Sequence, residues 1–142
     1  MITWLSILGA TVSSALLFWL MTRSEYNARQ RRSARICGRM PFTVDDWRQA
    51  MPSVPPETLE QVVQVISGAV GVPHGYLRPD DSFTDELSLK DRFWCLVIDD
   101  ETSEDICDRF DERYGFRPDG RWVNLRDVVV EVWPLISPSP SA

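Results

Sequence analysis

The sequence predicts a mainly α-helical protein, an N-terminal transmembrane helix followed by a small helical bundle. Three observations predict it. Residues 2–21 carry no charged side chain, and twenty helical residues rise about 30 Å, the thickness of a bilayer's hydrocarbon core. Apolar residues then recur at helical spacing in several later segments bounded by capping residues. Charge divides at the same place: residues 1–40 hold six Arg and one Glu, whereas residues 41–142 hold nine basic and twenty acidic residues.

These quantities also exclude function classes. A chain of 142 residues has room for about one small domain beyond the apolar run, so a large multidomain enzyme is ruled out. The net charge of −6, with the acidic surplus in the soluble part, argues against nucleic acid as a partner, because phosphate contacts need a basic face. Three Cys and one His leave little material for a metal site or a disulfide framework.

The first element is a transmembrane helix at 1–22, with Trp4 and Trp19 near its ends, where indoles favour the headgroup interface. No basic residue precedes the run and no small-x-small cleavage site follows it, so it reads as an anchor and not as a cleaved signal. Arg23, Arg29, Arg31, Arg32, Arg35 and Arg39 come after it. The positive-inside rule then places the rest of the chain in the cytoplasm, as a single-pass protein of the inner (cell) membrane. Ser6, Ala10 and Ser14, with Gly9 and Ser13 beside them, would let two helices approach closely, which leaves a homodimer through the membrane helix open. Residues 23–40 read as a basic juxtamembrane linker, drawn to anionic lipid by about 1 kcal/mol per basic residue. One aromatic, Tyr26, is too few to stack bases there.

The helical domain is expected over 41–136. Thr43 and Asp46 form a capping-box pattern that opens a short helix over 44–51, with Val44, Trp47 and Met51 on one face. Pro52, Pro55 and Pro56 break the chain, and Pro56 suits the first turn of the next helix. That helix runs to about Val70, with Leu59, Val62, Val63, Ile66 and Val70 on one stripe, and Gly71 ends it. Pro73, Gly75, Pro79 and the Asp80–Asp81 pair give 72–81 the composition of an extended loop. The segment 92–98 has the unbroken apolar character of a buried strand, an extended piece or a helix. A further helix is predicted over 102–114, with Ile106, Cys107, Phe110 and Tyr114 on one stripe and acidic residues opposite. The last helix begins after Asn124, an N-cap with Asp127 three residues on, buries Leu125, Val128, Val129 and Val132, and is expected to stop at Pro134. The Pro- and Ser-rich tail, 137–142, is expected to be disordered.

A helix ending in Gly-Val, the stretch Leu-Arg-Pro-Asp-Asp-Ser-Phe-Thr-Asp-Glu-Leu over 77–87, an acidic helix closing on Tyr-Gly-Phe and then Val-Asn-Leu-Arg-Asp-Val-Val resemble an acyl carrier protein. The resemblance spans about 59–136 and implies a small helical bundle, with Gly71, Phe83, Leu87, Ile106, Phe110, Tyr114 and Val128 at core positions. In that family a Ser in an Asp-Ser-Leu triplet at the start of the second helix carries 4'-phosphopantetheine. That triplet is missing. Fourteen residues before Tyr114 stands Asp100, flanked by Asp99 and Glu101, and a carboxylate cannot form the phosphodiester. About nine residues are also inserted between Leu87 and Asp99. The resemblance therefore implies a carrier-like domain with no prosthetic arm, the alternative being an arm on Ser88 or Ser103.

Other constellations read plainly. Cys37, Cys95, Cys107 and His74 lack the paired spacing of a zinc site, so no metal ligand is predicted. A Cys-His nucleophile would need an orienting acid or amide that the sequence does not indicate, so no catalytic residue is predicted. The acidic pairs lack the ligand order of a calcium loop. Asp99, Asp100 and Glu101 complement a helix dipole, and Glu104, Asp105, Asp108, Asp111 and Glu112 form an acidic face. In carrier proteins the equivalent face meets basic patches on partner proteins. The reading reached is a membrane-anchored binding module, not an enzyme, whose acidic helix docks a partner protein with a basic patch. A further alternative has the acidic face folding back on the Arg-rich stretch.

Overall fold

The structure, a computed structural model, describes residues 2–88 and 101–137, with side chains described over 11–88 and 102–137. Among the described residues there are five α-helices and no strand: α1 (Ile2–Cys37), α2 (Val44–Ala50), α3 (Pro56–Val70), α4 (Glu101–Tyr114) and α5 (Leu125–Ile136), with a 3-10 turn at His74–Tyr76. The segment 92–98 and the tail beyond Ser137 lie outside the described residues.

Local signals set the helix ends. Thr43 accepts from the Asp46 N–H at 3.3 Å while its own N–H reaches the Asp46 carboxylate at 2.7 Å, so two otherwise orphan donors are satisfied at the start of α2. Asn124 and Asp127 form the same reciprocal box on α5, each bond 3.2 Å long. We expect Asn124→Ala to destabilise the protein by about 1 kcal/mol, read from the shift of its urea midpoint at unchanged slope. Gly71 closes α3 with φ +70°, a left-handed conformation in which a β-carbon is strained. Pro134 departs from expectation. It does not stop α5, which continues to Ile136 because a Pro this near the end forfeits one hydrogen bond, and the Ser137 N–H still closes on the Trp133 carbonyl at 3.0 Å.

The core forms around α3, on which α2, α4 and α5 all pack. Being surrounded, α3 buries Val65 and Ala69 as well as the expected Leu59, Val62, Val63, Ile66 and Val70. Ile106 and Phe110 from α4 and Leu125, Val128, Val129 and Val132 from α5 complete the interior. The loop after α3 is part of this body, because Leu77, Phe83 and Leu87 are buried. It is laced to the start of α5: the Leu125 N–H reaches the Asp81 carbonyl at 3.1 Å, the Arg126 N–H reaches the Pro79 carbonyl at 2.8 Å, and Ser82 and Asn124 form an isolated antiparallel bridge.

α1 behaves differently in its two halves. Every residue over 11–23 is exposed, and Val12, Leu16, Leu17, Phe18, Trp19, Leu20 and Met21 are 46% to 71% accessible. The transmembrane helix expected at 1–22 is not supported by the described residues, among which no helix is long and apolar enough to cross a membrane. Residues 11–22 are uncharged but number twelve, about 18 Å of helix, and the side chains of 2–10 lie outside those described. The stretch read as a linker, 23–40, is helical as far as Cys37 and joins the bundle, with Ile36 fully buried. The reason is periodicity: Arg29, Arg32 and Ile36 recur every three or four residues and so share one face of the helix.

Candidate functional site

The face of α1 that meets the bundle carries guanidinium groups, and each reaches a different part of it. Arg32 is 2% exposed. It donates to the Leu87 carbonyl at 2.9 Å, to the Thr102 hydroxyl at 3.0 Å and to the Val70 carbonyl at 2.5 Å. The Thr102 hydroxyl in turn donates to the Leu87 carbonyl at 3.3 Å. One side chain thus ties α1 to the end of α3, the end of the loop and the first turn of α4. A buried cation is tolerated only with such a set of acceptors.

Arg29 makes the second junction. Its guanidinium lies 2.9 Å from both Asp105 on α4 and Glu25 one turn back on α1. Burial works against the Arg29 charge, but the two carboxylates outweigh it and hold the guanidinium protonated more firmly than usual. Arg35 donates to the carbonyls of Asp85 and Glu86, at 3.2 and 2.9 Å, and Arg39 pairs with the buried Asp81. Sequence reading took these arginines as an orientation signal. The helical spacing of Arg29 and Arg32 with Ile36 is the signal that would have placed those two against a domain.

The acidic helix is only partly free. Glu104 and Asp108 both hold Arg117, from the loop after α4, and Asp105 holds Arg29. Asp111 is exposed, and the exposed Glu112 lies 3.8 Å from Arg109 on its own helix. Asp99 and Asp100 lie outside the described residues, and Glu101 opens α4 with its side chain outside those described. The acidic face and the Arg-rich stretch therefore meet through Arg29 and Asp105.

The candidate hydroxyls and thiols fall in different places. Ser88 is half-buried at the edge of a cleft below α1, and Ser103 is half-buried in the first turn of α4. Cys107 is buried in the core, 3.6 Å from the Pro118 carbonyl. Burial pushes its thiol up to about 11, so it stays neutral and unreactive at neutral pH. Cys37 is half-buried on α1, and His74 is exposed in the 3-10 turn. Among the described residues no group of three or more His, Cys, Asp or Glu side chains is placed to hold a metal ion.

No family model, no curated protein and no solved structure matches this chain.

Proposed function

We propose that the protein is a membrane-anchored docking module: a carrier-like helical bundle without a prosthetic arm, held at the cytoplasmic face of the inner membrane by the first half of α1. The observation that carries this reading is the continuity of α1. It passes without a break from the charge-free run of residues 2–21, whose described side chains are exposed on every face, into the buried contacts of Arg32 and Ile36. An apolar helix exposed all round needs a nonpolar environment, and lipid supplies one. Arg23 over the Trp19 ring, 4.9 Å from its centroid, gives the end of the run the aromatic and cationic character of an interface.

The carrier-like part is supported by the order of elements: α3, a stretch that buries Leu77, Phe83 and Leu87, the acidic α4 and α5. Asp111 and Glu112 keep their charge toward solvent, and the exposed pairs of Glu104 and Asp108 with Arg117 are worth little and open to exchange with a basic partner. Confinement to a bilayer raises the effective concentration of the module at a membrane-bound partner. A second reading, a true carrier modified at Ser88 or Ser103, draws on the place of Ser103 in the first turn of the acidic helix.

Both are tested on the full chain purified from bacterial membranes. After alkaline carbonate extraction the chain is expected in the membrane pellet with an unmodified intact mass. Release into the supernatant would remove the anchor, and a discrete phosphopantetheine adduct would establish the second reading in place of the first.

A further inference from the structure

Three carboxylates of the acidic α4 are already matched by cations from other parts of the chain. Arg29 arrives from α1 and takes Asp105. Arg117 arrives from the loop after α4 and spans Glu104 and Asp108, its Nη2 on the first and its Nη1 on the second. Glu104 and Asp108 stand four residues apart and so lie one above the other on the helix, where a single guanidinium fork bridges them. A basic side chain thus sits on this face, supplied by the protein itself.

The two cations are held differently. Arg29 belongs to a helix that the buried Arg32 and Ile36 fasten to the bundle. Arg117 stands on a loop whose backbone is fixed on both sides of it: the Phe116 ring stacks with Phe110 and Tyr114 at centroid distances of 6.0 and 6.1 Å, and the carbonyl of the buried Pro118 accepts from the Cys107 thiol at 3.6 Å. Next to it the Asp119 N–H reaches the Glu131 carboxylate at 2.8 Å. None of these contacts involves the guanidinium, so the loop is fastened without it. The guanidinium is instead delivered to one place on α4, at the high local concentration of a tethered group. Its bond to Asp108 raises the Arg117 pKa above the usual value, so the cation persists wherever the carboxylates are ionised. The side chain is nevertheless 45% exposed, with Glu104 and Asp108 more exposed still. Pairs of that kind are weak in water, and rotation about the Arg117 side-chain bonds releases them with no movement of the loop.

We propose that Arg117 is an autoinhibitory contact, occupying Glu104 and Asp108 as a partner's guanidinium would, so that a basic partner gains this part of the face only by displacing it. The inference rests on the docking role of α4 proposed above. A partner with one basic side chain competes at a disadvantage against a tethered arginine, whereas a patch presenting several together overcomes it. The contact therefore selects for a dense basic surface.

The test is fluorescence anisotropy of a labelled hexa-arginine peptide titrated with the full chain, in nanodiscs of zwitterionic lipid at one low ionic strength, where exposed pairs are least screened. Arg117→Gln is expected to bind the peptide roughly fivefold more tightly than the wild type. Arg121→Gln removes the same charge from an 87% exposed side chain of the same loop, and should change the affinity by less than about twofold. Arg117→Lys keeps the charge but lacks the fork, so its affinity should fall between wild type and Arg117→Gln. Glu104→Gln combined with Asp108→Asn should weaken binding more in the Arg117→Gln chain than in the wild type, where those carboxylates are already occupied. Helix content by circular dichroism should be equal in all variants. Equal affinity of wild type and Arg117→Gln, or equal weakening by the double replacement in both, would overturn the inference and leave docking through α4 standing. Absence of peptide binding to either chain would remove the docking role itself, and the inference with it. The same titration in nonionic detergent serves a chain that is not anchored.

Discussion

Arg32→Ala is expected to destabilise the protein by about 3 kcal/mol or more, among the largest losses any one substitution of a charged residue can cause here. The guanidinium is 2% exposed and supplies hydrogen bonds to the Val70 and Leu87 carbonyls and the Thr102 hydroxyl. Its removal strands the Val70 carbonyl, at about 1–3 kcal/mol, leaves the Leu87 carbonyl with only the Thr102 hydroxyl at 3.3 Å, and opens a cavity where the long side chain lay. Such a loss is a large share of the roughly 5–15 kcal/mol that holds a domain together. Urea unfolding of the full chain in mild detergent measures it against Arg121→Ala, whose 87% exposed side chain should shift stability by no more than about 0.5 kcal/mol. A loss for Arg32→Ala below about 1 kcal/mol would mean that the guanidinium is solvated in the folded protein.

The second large effect concerns the proposed anchor. Val12 and Leu16 lie one turn apart in the charge-free run, 64% and 55% exposed. An Arg near the middle of a membrane helix costs about 2.5–3.5 kcal/mol on insertion scales, so replacing both residues with Arg should cost roughly 5–7 kcal/mol and release the chain from carbonate-washed membranes. Tyr26→Arg, beyond the run, should leave partitioning unchanged. If the double substitution stays in the pellet as fully as the wild type, the apolar half of α1 is held by something other than bilayer hydrocarbon.

The two experiments probe opposite ends of one helix. Arg32 and Ile36 fasten α1 into the bundle, and the Arg29–Asp105 pair fixes the acidic α4 beside it. The pair itself, with both side chains about one-third exposed, adds well under the worth of the Arg32 network.

The sequence by itself determined where the helices of the bundle lie and which stripes they bury. Thr43 with Asp46, Asn124 with Asp127 and Gly71 act on backbone groups within about one turn, and the spacing of Leu59, Val62, Val63 and Ile66 or of Val128, Val129 and Val132 is a property of a single segment. Only the tertiary structure decided the fate of the charges. Six arginines between residues 23 and 39 look alike in a one-dimensional reading. Which of them loses its water depends on the face of α1 that meets α3 and α4, and the partners, Val70, Leu87 and Asp105, are 38 to 76 residues away. Pairing over that distance follows from packing, which no local spacing encodes.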